Sequence, residues 1–163
     1  MKKGIKLLSK RMLDESFFSH VANDDRAEAT AASIIFCKKG KILAGLRSGD
    51  EGLCGAGGKV EEGESCEEAA AREAFEEFSL VPHKLIPLGV LKRSTQAYRD
   101  CMVYLCVDFT GKERPDGEEM LSSKWYSLKE LFGGSQKLFP PFQASLEFLL
   151  SNMGSVNANG ASG

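Results

Sequence analysis

Gly57-Gly58-Lys59-Val60-Glu61-Glu62-Gly63-Glu64-Ser65-Cys66-Glu67-Glu68-Ala69-Ala70-Ala71-Arg72-Glu73-Ala74-Phe75-Glu76-Glu77-Phe78-Ser79-Leu80 joins a glycine-rich loop to a carboxylate-rich helix. The loop belongs to a run in which Gly49, Gly52, Gly55, Gly57, Gly58 and Gly63 fall within fifteen residues. Glycine at that density marks backbone that turns sharply or approaches something closely. A helix is expected from about Ser65 to Phe78. Ser65 with Glu68 three residues on fits a capping box, the four alanines favour helix, and Phe75 and Phe78 give it an apolar side. On a 3.6-residue repeat, Glu73, Glu76 and Glu77 spread over a fan about 100° wide. Three carboxylates on one face repel one another unless a cation sits among them, and an all-oxygen donor set suits a hard ion, Mg²⁺ or Mn²⁺, rather than Zn²⁺. A Glu-rich helix face is, taken alone, an ordinary solvated surface. Here a glycine loop precedes it and Arg72 stands beside the carboxylates, an arrangement suited to holding a metal–pyrophosphate substrate.

Outward from this segment, Ala32–Cys37 and Lys41–Leu46 read as strands joined by a tight turn at Lys39-Gly40. Further strands are expected around Leu85–Lys92, Cys101–Phe109 and Lys124–Ser127. Phe139-Pro140-Pro141 precedes Phe142, Leu146, Leu149 and Leu150, a spacing that predicts a core-packed helix with proline in its first turn. Interleaved strands and helices make the class α/β or α+β with a mixed sheet. Residues 1–29 form a polar lead-in, 30–151 the folded domain, and 152–163, rich in Ser, Asn and Gly, a tail expected to be disordered.

The chain has 163 residues, 42% of them hydrophobic and 27% charged, a profile that needs no disulfide or metal staple to bury a core. Its net charge of −2 excludes a polybasic binder of nucleic acid or membrane surface. That total conceals a local −7 across residues 61–77, eight glutamates against one arginine, and leaves +5 for the remainder, which suits a ligand bearing phosphates. Five cysteines without a C-x-x-C pair, and only His20 and His83, give no thiolate–imidazole zinc site and read as free thiols in a reducing compartment. No signal-peptide core and no membrane-length apolar run is present, so the expected location is cytoplasmic, with no membrane partner.

The quoted segment resembles the Nudix box: Gly, five residues, Glu, seven residues, Arg-Glu, an aliphatic, any residue, Glu-Glu, any residue, Gly, an aliphatic. Gly58, Glu64, Arg72, Glu73, Glu76 and Glu77 occupy six of its fixed positions and Leu80 closes it. A chance match somewhere in the chain is on the order of 10⁻⁵. Ser79 stands where the pattern has glycine, a departure that concerns how the helix ends. The resemblance implies an α/β/α sandwich with a central mixed β-sheet, the box forming loop–helix–loop, and hydrolysis of a nucleoside diphosphate linked to another group. It implies Glu73, Glu76 and Glu77 as ligands of Mg²⁺ (or Mn²⁺) assisted by the Gly57 carbonyl, Arg72 orienting the carboxylates, and Glu64 bracing the loop–helix junction behind them. MutT-like members place a further glutamate before a Trp-containing strand; Glu119, with Glu118 in reserve, precedes Lys124-Trp125-Tyr126. The Phe-Pro-Pro segment resembles the MutT-type end, which nominates Gln143 for a base edge and Phe139 for stacking, core packing being the other reading of the ring. Arg47, Gly58 and Lys59 are nominated for the substrate's phosphates.

Substrate choice is read from weaker signals. No proline lies near Ser94-Thr95, where ADP-ribose members tend to have one, and Tyr98 lies nineteen residues past Ser79, approximating the tyrosine of diadenosine-polyphosphate members. With Phe-Pro-Pro, the expectation is a nucleoside triphosphate, oxidised and non-standard ones included, converted to monophosphate and pyrophosphate. The alternatives are dinucleoside polyphosphates, nucleotide sugars or ADP-ribose, and, in another class, a nucleotide-binding module without catalysis. The expected partner is the small nucleotide alone, not a nucleic-acid polymer, and the expected state is monomer or homodimer.

Overall fold

Ala31–Lys38 (β1) buries Ile34, Ile35, Phe36 and Cys37 in succession, as a strand covered on both faces must. The computed structural model, which describes residues 29–92 and 99–162 (152–162 as backbone only), assembles the sheet on this strand. Lys39 and Gly40, with φ of 53° and 77°, form a two-residue turn of the kind whose twist matches a hairpin, and lead into Lys41–Arg47 (β2) antiparallel to β1. Gly52–Cys54 (β3) and Met120–Tyr126 (β7) flank β2. The first half of β1 pairs antiparallel with Ala56–Lys59 (β4) and parallel with Cys101–Thr110 (β6), and Val81–Leu91 (β5) closes the order β3-β2-β1-β6-β5 as an edge strand.

Alternate residues of β1 enter different cores. Ala32, Ile34 and Phe36 pack with Ala69, Ala70, Ala74 and Phe78 of the helix Cys66–Phe78 (α1). Ile35 and Cys37 pack with Leu128 and Leu131 of Leu128–Gly133 (α2) and with Phe142, Leu146 and Leu149 of Pro140–Ser162 (α3). The mixed α/β sandwich expected from the sequence is therefore present, with α1 on one face of the sheet and α2 and α3 on the other.

Several boundaries differ from expectation, each for a physical reason. The glycine run contains two short strands, β3 and β4; in β4, Gly57 pairs with Ser33 so closely that a side chain would collide with β1, and a side chain on Gly58 would collide with Glu73. β5 begins at Val81 despite Pro82 and Pro87; proline is tolerated on an edge, and the register shifts near both residues. β7 begins at Met120 rather than near Lys124, and α2, with Ser127 and Glu130 in a reciprocal cap, was not foreseen. Helix α3 carries its backbone through Ser162. Ser79 takes the left-handed conformation (φ 61°, ψ 29°) where the family pattern has glycine, at a cost of about 1 kcal/mol. Its amide donates to the Phe75 carbonyl and that of Leu80 to Ala74, satisfying the last carbonyls. The lead-in 1–28 and Tyr98 lie outside the described residues.

Candidate active site

Helix α1 starts where Ser65 and Glu68 cap each other reciprocally, so the register of everything after is fixed from the first turn. One turn on, Arg72 becomes the hub of the glutamates. Its Nε and Nη2 donate to the two oxygens of Glu64 at 2.7 and 3.1 Å, a bidentate pair. Nη1 donates to Glu73 at 2.9 Å and Glu76 at 3.2 Å, and Nη2 also reaches the Lys59 carbonyl at 3.0 Å. One guanidinium thus pins the β4 end, the loop glutamate and two helix carboxylates. The Arg72 bonds to Glu64 hold that carboxyl below its ordinary value, and the same contacts raise the guanidinium's own.

Glu77 points the other way, into the protein. Its Oε1 accepts from the Gly57 amide at 2.9 Å, while Oε2 is buried without a hydrogen-bond partner. Burial pushes the carboxyl up to about 8, with Glu73 and Glu119 adding negative charge nearby. Burial likewise raises Glu73 against the opposing pull of Arg72. Gly58 is needed for Glu73 to lie where it does: a Cβ there would stand 2.5 Å from Glu73 Oε1. At Gly57 the missing Cβ would instead meet main chain, the Ala32 carbonyl oxygen at 2.8 Å.

Among the described residues, no three carboxylate, imidazole or thiol groups stand close enough together to hold a metal ion as they are. The reason is visible: Arg72 draws Glu73 and Glu76 to itself, and Glu77 is turned to Gly57. The donor set nonetheless fits a hard divalent cation. An orphaned buried oxygen on Glu77 costs about 1–3 kcal/mol, which a cation beside it would remove.

Glu119 lies close enough for its charge to raise both Glu73 and Glu77. The loop carrying Glu119 is stitched to the end of α1: the Arg114 amide donates to the Phe78 carbonyl at 2.8 Å and the Asp116 amide to Glu77 at 3.2 Å.

A cavity of about 350 Å³ opens beside Gly57, Gly58 and Lys59 and is bounded by Arg47, Arg99 and Phe139, among others. The Arg47 guanidinium lies 4.8 Å above the Phe139 ring and is ion-paired with Glu51 at 3.1 Å. Four of the five nominated substrate residues therefore meet here. Gln143 does not. It sits exposed on α3, because Phe142, Leu146 and Leu149 take the buried stripe and Pro141 and Ser145 the cavity side. Phe139 also packs against both cores, so the stacking and core readings describe one ring with two contacts. Trp125 is not in the cavity wall; it stacks on Phe109. Sequence reasoning missed Arg99, which stands two residues before β6, and Asp116, whose Asp-Gly turn signal was available. Cys54 also lines the cavity, but burial pushes its thiol up to about 12, so it offers no thiolate nucleophile.

The NUDIX domain model matches residues 27–147. No curated protein matches the chain. Among solved structures, it is similar to a MutT NUDIX hydrolase from Burkholderia pseudomallei (25% identity, TM-score 0.63, covering 73% of this chain and 95% of that one). It is similar also to the E. coli ORF135 protein (25%, 0.60, 79% and 90%). A MutT protein from Methanosarcina mazei Go1 shares the fold at 20% identity (0.60, 79% and 94%). Among the described residues, no helix is long and apolar enough to cross a membrane.

Proposed function

The chain belongs to the NUDIX domain family, and from that premise we propose that it is a Mg²⁺- or Mn²⁺-dependent pyrophosphohydrolase converting a nucleoside triphosphate to monophosphate and pyrophosphate. The observation that carries the reading is the pairing of the Arg72-centred carboxylates with the orphaned Glu77 oxygen, all opening beside a cationic cavity. Likeness to a MutT NUDIX hydrolase supports the pyrophosphohydrolase activity. In the reaction, water oxygen bonds to phosphorus, the bridging P–O bond breaks with its electron pair, and the proton released passes to a base.

Glu73, Glu76, Glu77 and Glu119 would hold the cation with the Gly57 backbone; when bound, it would neutralise phosphate charge and make water more acidic. Arg72 keeps Glu73 and Glu76 aimed while Glu64 holds Arg72. Arg47, Lys59 and the Gly58 backbone face the phosphates, and Phe139 supports the base with one face already beneath Arg47. Glu119 reaches this cluster from a loop rather than from the Arg72 network.

A panel of NTPs, dNTPs, oxidised dGTP, ADP-ribose and diadenosine tetraphosphate tests this, with products resolved and EDTA as control. Monophosphate plus pyrophosphate from a triphosphate, abolished by EDTA and restored by Mg²⁺ or Mn²⁺, is the expected outcome. Turnover confined to ADP-ribose or the dinucleotide would replace the substrate; nucleotide binding without turnover would favour the non-catalytic module. Location in the cytoplasm and a monomeric or homodimeric state complete the proposal.

A further inference from the structure

The loop between β6 and β7 is exposed, and an exposed loop ordinarily leaves its amides to water. This one does not. Asp116 Oδ1 accepts from three successive amides, Glu118 at 3.0 Å, Glu119 at 3.1 Å and Met120 at 2.9 Å. The Asp116 amide in turn donates to the Glu77 carbonyl at 3.2 Å. We infer that Asp116 is a positioning residue for the active site, joining the main chains of Glu77 and Glu119 so that the two carboxylates keep a fixed spacing.

Three further features converge on Glu119. Its carbonyl accepts from the Ser48 amide at 2.9 Å, tying it to the end of β2. Gly117, at φ 84°, lets the chain reverse so that its amide reaches the Met120 carbonyl at 2.9 Å. The β2–β7 register then slips by one, from Leu46↔Ser122 to Arg47↔Met120, which leaves Leu121 as the extra residue of a bulge. Leu121 is pushed outward, 53% exposed, while Met120 is fully buried. A bulge re-aims the side chains beyond it, and here those are Glu119 and Glu118. With Asp116 gone, three amides would turn to water and the loop would sample many positions, so Glu119 would hold its place for a smaller fraction of the time.

The inference rests on the reading of Glu119 as a site carboxylate, and the test separates the two. Full-length wild type, Asp116→Ala, Asp116→Asn and Glu119→Gln are compared by Mn²⁺ titration without nucleotide, steady-state kinetics and amide hydrogen exchange. Asp116→Ala is expected to lose about tenfold in Mn²⁺ affinity and in kcat, in the range for a group that orients a ligand, with KM little changed. Exchange at Glu118–Met120 should quicken while Tm stays near wild type. Asp116→Asn keeps an acceptor oxygen in place and should recover most of the loss. If Asp116→Ala fails to fold, Asp116→Ser, with a shorter acceptor, is expected to move the same readouts in the same direction. Faster exchange with unchanged Mn²⁺ affinity and kcat, while Glu119→Gln lowers both, would overturn the inference and leave Glu119 in the site. A silent Glu119→Gln would remove Glu119 and the inference together.

Discussion

The carboxylate end of α1 and the adjoining cavity share Gly57 and Gly58 but are built on opposite plans. At the helix, one guanidinium makes five hydrogen bonds to partners lying between Lys59 and Glu76. The cavity is walled from β1, β2, β4, Arg99 and the start of α3, residues far apart in the chain. The dense network fixes carboxylate direction, whereas the cavity wall beyond Gly57, Gly58 and Lys59 lies outside that network. On the proposed function, chemistry is concentrated in a short contiguous segment and substrate choice is distributed over the fold, as expected where function is grafted on a shared scaffold.

The largest effect is expected at the helix. Glu76→Gln keeps the shape and removes an exposed charge, so Tm should hold while Mg²⁺-dependent turnover falls by at least about 100-fold, since partners that merely orient ligands are already worth 10–100-fold. Undiminished turnover would break the contrast at its strong end. Arg72→Lys comes next. Lysine keeps the charge but lacks the fork that holds Glu64 by two bonds while serving Glu73 and Glu76. A loss of about 10–100-fold in kcat is expected, with weaker Mn²⁺ binding. Lysine retaining full activity would show that charge alone, without direction, suffices.

The same contrast explains what was legible beforehand. The box positions and the capping box could be read because each depends on neighbours within a helical turn or two, and the strand β1 because its apolar run is continuous. Glu119 could be nominated from its place before Trp125, but its proximity to Glu73 and Glu77 comes from the stitching of the loop to α1, a long-range matter. Gln143 was nominated from the Phe-Pro-Pro signal, yet the rotation of α3 is set by Phe142, Leu146 and Leu149 entering the core, and Ser145 is thereby turned to the cavity. Arg99 carried no local signal, since an arginine before a strand is commonplace. The strands β3 and β4 were hidden by glycine, which weakens a strand pattern even where close approach is the reason for it.

Gly58→Ala probes the boundary between the two regions. The new Cβ would collide with the Glu73 carboxylate, not with main chain, so the side chain must yield. A fall of about tenfold in kcat with small change in Tm is expected, comparable to losing an orienting partner. Gly57→Ala, whose Cβ meets the Ala32 carbonyl oxygen, should instead cost about 1–3 kcal/mol of stability, measured by denaturant unfolding.

The smallest effects belong to the cavity, where the expectation is a change in KM without a change in metal affinity. Phe139→Ala removes the ring beneath Arg47 and is expected to raise KM about fivefold, equivalent to about 1 kcal/mol of stacking. Gln143→Ala is the sharper test because sequence and structure disagree on it. An exposed side chain outside the cavity wall has no cavity contact for truncation to remove, so KM should stay within about twofold of wild type. A rise matching that of Phe139→Ala would mean that α3 rotates when nucleotide binds. That rotation would have to draw Phe142 and Leu146 partly out of the core, at about 1.5–3 kcal/mol for each side chain exposed. Binding a base at one end of the cavity does not readily supply so much, which is why the quiet outcome is expected.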